Sequence, residues 1–95
     1  MQPDLLSTEV TRFVKQRLSP NKHRVFLFGS ALQKPHFRDV DIGIIGDIDP
    51  NQLALLKEDF EESNFPYTVD IVDFNQVAPD FKKKILQDKV LWLNF

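Results

Sequence analysis

Val25-Phe26-Leu27-Phe28-Gly29-Ser30, then eight residues, then Asp39-Val40-Asp41-Ile42-Gly43-Ile44-Ile45: this stretch decides the reading of the chain. Two apolar runs of strand character flank a small-residue turn and a pair of carboxylates. Packing alone gives a core strand no reason to carry two aspartates at its mouth, because a buried unpaired charge is expensive. Standing two apart on a strand, Asp39 and Asp41 point the same way. Without a counter-ion they repel, and one tends to take up a proton. Mg2+ or Mn2+ resolves the repulsion, since hard cations prefer oxygen ligands and keep positions open for substrate phosphates. The turn fits the same chemistry. Gly29 at a strand end lets a ligand approach the backbone, and the amides and hydroxyl beginning at Ser30 suit a phosphate.

Outward from this stretch the chain alternates helices and strands. Ser7 is read as the cap of a helix to about Leu18, with Leu6, Val10, Phe13, Val14 and Leu18 at helical spacing. Arg24 to Phe28 reads as a strand buried on both faces, since its apolar residues do not alternate. Ala31 to Lys34 allows one helical turn before Pro35, and Val40 to Ile45 is the second strand. Asp49-Pro50-Asn51-Gln52 is a helix start with cap, N1 proline and capping box. That helix runs to about Ser63, with Leu53, Leu56 and Phe60 on one face. Tyr67 to Val72 alternates, so Thr68, Asp70 and Val72 share a face. A last helix from Pro79 or Asp80 to about Gln87 turns Phe81, Ile85 and Val77 inward, and Val90 to Leu93 closes as a strand. The fold expected is α/β (α+β), a small mixed β-sheet packed with helices.

Asp70 lies within Val69-Asp70-Ile71-Val72 and is expected to be partly buried. A third carboxylate on a neighbouring strand completes an oxygen set for two metals, about 3.5–4 Å apart in such sites. Asp70 would then serve the nucleophile-side metal and could accept a proton. Other polar residues read as structure. Asp47 and Asp49 head a helix, Asp73 faces away from Asp70, and His23 and His36 are taken as surface loop residues. Lys82-Lys83-Lys84 reads as a solvated helix face.

The chain bounds the remaining possibilities. Its 95 residues suit one domain, residues 1–95, with a modest core supplied by nine Phe and one Trp. A net charge of −2 gives no basic field for nucleic acid. There is no cysteine, which excludes disulfides, thiolate zinc and thiol nucleophiles. No apolar run is long enough for a membrane span and no signal peptide is visible, so the expected setting is cytoplasmic.

Phe28-Gly29-Ser30, the spaced Asp39-Val40-Asp41-Ile42 and Val69-Asp70-Ile71-Val72 together resemble the minimal nucleotidyltransferases of the DNA-polymerase-β-like superfamily, the MNT-type antitoxins of HEPN/MNT pairs. Ile85-Leu86 and Val90-Leu91-Trp92 resemble the C-terminal helix and short strand of that family. The resemblance implies Mg2+-dependent transfer of a nucleoside monophosphate, commonly AMP from ATP, onto a hydroxyl. It implies Asp39, Asp41 and Asp70 as catalytic metal ligands and Gly29 and Ser30 as nucleotide contacts. The loop before the first aspartate is shorter here, against about ten residues in relatives, and lacks their glycine. Lys34 and Arg38 are the local cations to serve the triphosphate. A chain this small has no acceptor-binding domain, so the resemblance points to a partner protein, commonly a small helical HEPN-type toxin. A homodimer that forms the acceptor pocket is the other source. The alternative reading is an inactive subunit of the same fold that neutralises its partner by contact.

Overall fold

The computed structural model describes residues 2–95. Its elements follow the order α1 (Pro3–Arg17), β1 (His23–Phe28), α2 (Ser30–Gln33), β2 (Asp39–Gly46), α3 (Pro50–Glu61), β3 (Thr68–Asp73), α4 (Pro79–Gln87) and β4 (Leu91–Trp92). The sheet order is β3-β2-β1-β4. β1 runs antiparallel to β2 and β4, while β2 and β3 are parallel. A parallel pair needs a crossover, and α3 supplies it. The mixed sheet packed with helices agrees with the expected fold class.

Side-chain alternation divides the sheet into two unlike faces. Val25, Leu27, Val40, Ile42 and Ile44 are buried on one face, under Leu6, Val10 and Val14 of α1 and Leu56 and Phe60 of α3. The bidentate pair of Arg17 with Asp59, at 2.7 and 3.0 Å, ties those helices together at the surface. The opposite face holds a smaller aromatic core of Phe26, Phe28 and Phe74, flanked by half-buried Val72, Ile85 and Val90. The Phe26 ring lies across its strand neighbour Gly43, where a β-carbon would come within 2.3 Å of Phe26 Cζ. β1 thus feeds both cores, which accounts for its lack of alternation.

α3 begins as its sequence requires. Asp49 accepts from the Gln52 amide at 2.9 Å, and the Gln52 side chain returns to the Asp49 amide. Several expectations need correction. α1 starts at Pro3, not at a Ser7 cap, because a proline at N1 carries the φ a helix needs and lacks only an orphan N–H. His23 is not a surface residue: it opens β1 and is buried, with Nε2 2.8 Å from the Asp47 carbonyl and Nδ1 3.2 Å from the Ser19 amide. Its hydrogen-bonding capacity is met locally, so burial is tolerated. Phe81 stacks on Phe74 at 6.0 Å yet remains 43% exposed, because the small second core does not extend far enough along α4 to cover it. The last strand shrinks to Leu91–Trp92, and β3 begins at Thr68, one residue after Tyr67.

Candidate active site

The site begins with register. In the β1–β2 ladder Phe28 pairs with Asp41, and in the β2–β3 ladder Asp41 pairs with Asp70 and Asp39 with Thr68. Paired residues on adjacent strands put their side chains on the same side of the sheet. Asp39, Asp41 and Asp70 therefore stand together on the aromatic-core face, at the end of β1 where the chain turns at Gly29. Asp41 is the central member, with Phe28 on one flank and Asp70 on the other.

Gly29 is fixed there for two reasons. Its φ of +82° is a conformation that side chains resist. A β-carbon at this position would also lie 2.2 Å from Oδ2 of Asp41. The strand-to-helix turn and the carboxylate are thus built against each other, and only the absence of a side chain permits it. Ser30 follows as the first residue of α2, half-buried, and its carbonyl accepts the Lys34 amide at 2.9 Å.

The electrostatics mark Asp41. Partial burial pushes its carboxyl above the usual carboxylate range, and the neighbouring Asp70 and Asp39 charges push it further. The two ion pairs among the described residues, Arg12–Glu9 and Arg17–Asp59, lie elsewhere, so no protein cation compensates the acids. Lys34 and Arg38 are exposed. The Arg38 carbonyl receives the Thr68 amide at 3.0 Å, anchoring the approach to β2 beside the start of β3. Asp70 corrects the expectation of partial burial: it is exposed, because β3 is the sheet edge and nothing covers its acid-face side chain.

The residues set aside behave as structure. Asp47 contributes its carbonyl to His23, Asp49 caps α3, and Asp73 accepts the Asn75 amide at 2.9 Å. His36 is exposed, as are Lys83 and Lys84, while Lys82 is half-buried.

The three acids fit a divalent cation in kind: hard oxygen donors on one face, mutually repelling, with Asp41 resisting ionisation. Among the described residues no group of three His, Asp or Glu converges on a single point.

One feature of the site was beyond sequence reasoning. A cleft of about 520 Å3 runs along Thr68, Val69 and Asp70, walled by Lys57 and Glu61 of α3 and by Phe65 and Tyr67. These residues fall in one stretch, 57–70, but carry no motif. The turn from α3 into β3 folds the α3 residues back beside Val69 and Asp70, and the alternation of Thr68 to Val72 was its single trace.

The chain is similar to known proteins. Residues 9–94 match the family model described as polymerase beta, nucleotidyltransferase. A probable protein adenylyltransferase MntA from Haemophilus influenzae is 33% identical over 90 residues, covering 88% of this chain and 78% of that protein. An MNT antitoxin solved with a tri-AMPylated HEPN toxin of Shewanella oneidensis superposes with a TM-score of 0.70 at 20% identity, over 98% of this chain and 74% of that one. A mutant of the toxin–antitoxin MntA–HpeT superposes equally well, TM-score 0.70 at 19% identity, over 93% and 73%. At those identities the superpositions speak for the fold. The family model and the Haemophilus relative carry more, and by them this chain belongs to the polymerase beta nucleotidyltransferase family.

Proposed function

We propose that the chain transfers AMP from ATP onto a hydroxyl of a partner protein, a HEPN-type toxin, in a reaction that requires Mg2+ or Mn2+. The observation that carries this reading is the in-register row of Phe28, Asp41 and Asp70 across β1, β2 and β3, with Gly29 packed against Asp41 and Asp41 held uncompensated between the other acids. The likeness to a protein adenylyltransferase supports the class of acceptor.

In this reading the acceptor oxygen attacks the α-phosphorus of ATP. A new oxygen–phosphorus bond forms while the bond to the β-phosphate breaks, and pyrophosphate leaves. Asp39, Asp41 and Asp70 would hold two divalent cations, the one shared with Asp70 to lower the pKa of the attacking hydroxyl and the other to neutralise the leaving pyrophosphate. The Gly29-Ser30 turn binds the phosphate chain through its backbone and the Ser30 hydroxyl. Lys34 and Arg38, unpaired and exposed, are free to swing to the triphosphate in place of a fixed cation. Asp70, open to solvent at the strand edge, takes the hydroxyl proton. With phosphates at the Gly29 side of Asp41 and the acceptor at the Asp70 side, the strand order β1, β2, β3 is compatible with in-line displacement.

A second reading has its own support. The acids do not converge as a closed ligand set, and an inactive subunit that neutralises its partner by contact would have no need of one. Intact-mass analysis of the HEPN-type protein after incubation with this chain, ATP and Mg2+ separates the two. Added AMP groups, lost with Asp39→Ala/Asp41→Ala, support transfer. Neutralisation that proceeds without ATP and survives the double substitution supports contact alone.

A further inference from the structure

The outer edge of β3 is the feature that the functional reading leaves unused. The amides of Thr68 and Phe74 donate to the Arg38 and Ile44 carbonyls on the β2 side. Backbone groups alternate sides along a strand, so the even-numbered residues of β3 serve β2 and the odd-numbered ones face away. Among the described residues, the N–H and C=O of Val69 and Ile71 and the N–H of Asp73 have no partner on that outer side. Folded proteins ordinarily blunt such an edge with proline, lysine, a bulge or a covering element. Here Thr68–Asp73 contains no proline or lysine, its charged residues being Asp70 at the site and Asp73 at the strand's end, and its pairing with β2 runs unbroken from Thr68 to Asp73. An open edge this regular, flanking a solvent-exposed site acid, offers alternating donors and acceptors that an extended peptide matches and a helix does not.

We propose that the acceptor protein presents its hydroxyl on an extended segment that adds to β3 as a further strand. The proposal rests on the functional reading above and names how its acceptor is held. Pairing fixes side-chain direction. A residue of the added strand opposite Asp70 projects on the acid face, beside that carboxylate. The residues before and after it project to the other face, where Val69 packs against the helix-covered core and where the cleft of about 520 Å3 lies open. Phe60, Phe65 and Tyr67 supply that cleft with apolar surface, and Lys57 and Glu61 form its polar rim. Backbone pairing therefore sets position while the cleft reads the neighbouring side chains, the division of labour seen in strand addition generally. Proximity supplied this way holds the hydroxyl within reach of the site.

Two measurements on the full chain test this, with a HEPN-type protein as the acceptor. In hydrogen exchange followed by NMR, the Val69 and Ile71 amides should exchange quickly in the free chain and become protected in the complex, while the Asp70 and Val72 amides are protected in both. In steady-state transfer, Val69→Pro removes an outward donor and no bond to β2. It should raise the acceptor KM about tenfold with ATP affinity unchanged, and by more than Val69→Ala, which trims the same side chain but keeps the N–H. Unchanged exchange at Val69 and Ile71 in the complex overturns the proposal. So does protection of those amides in the isolated chain as its concentration rises, which would assign the edge to a second copy. If Val69→Pro does not fold, the exchange result alone decides. Absence of transfer by the unaltered chain is the failure of the functional reading. Transfer with no edge protection is the failure of the docking inference alone.

Discussion

The two faces of one sheet carry opposite designs within a single strand. Along β2, Val40, Ile42 and Ile44 vanish under α1 and α3, while Asp39 and Asp41 interleave with them on the other side. On the helix-covered face every buried contact adds stability. On the acid face, partial burial and like charge work against the folded state, and Asp41 shows it in a carboxyl raised above its usual range. Adjacent residues thus answer to different demands, and substitutions one position apart should separate stability from activity.

The largest effect is expected at Asp41. Asp41→Asn should lower transfer by roughly 10^3-fold or more, the several kcal/mol of charge stabilisation that a bound cation supplies. The same variant should raise Tm in metal-free buffer, since it removes the repulsion with Asp70 and Asp39. A lowered Tm would break the comparison. Ile42→Ala is the counterpart on the other face. It should cost about 2–5 kcal/mol in urea unfolding while leaving the metal-binding stoichiometry of the remaining folded protein unchanged.

Gly29→Ala should combine both penalties. Its backbone conformation, φ +82° with ψ −156°, costs about 1–3 kcal/mol with a side chain present, and the added methyl displaces the Asp41 carboxylate. Chemical denaturation and ATP titration would read the two losses separately. A smaller effect follows from proton linkage. With the folded Asp41 carboxyl titrating above its unfolded counterpart, the folded state holds more protons between the two pKa values. Metal-free stability should therefore fall as pH rises through that window, and Mg2+ should flatten the dependence. Asp47→Asn is the control. Its side chain is exposed and only its carbonyl is used, so stability should change by less than about 0.5 kcal/mol and transfer not at all.

The legible parts of the sequence were those fixed by local chemistry. The Asp49-Pro50-Gln52 start of α3 encodes its own hydrogen bonds, and the two-residue spacing of Asp39 and Asp41 fixes their common face. Gly29 could be read as a turn, but the reason it must be glycine lies in Asp41, twelve residues away and against it in space. What could not be read depends on strand order. Asp70 was expected to be partly buried because its strand is apolar, and it is exposed because that strand is at the edge. His23 was expected at the surface because its sequence neighbours are polar. It is buried because the Ser19 and Asp47 backbones, from separate loops, close around its ring. Both errors have one source: a residue's environment follows from which strands and loops become its neighbours.

Isothermal titration of ATP in the presence of Mg2+, into the wild-type chain and into Asp39→Ala/Asp41→Ala, tests the central claim most directly. The account predicts metal-dependent binding to the wild type, abolished in the folded double variant. Equal binding to both, or none to the wild type with its partner present, would contradict the assignment of the acid face as the nucleotide site.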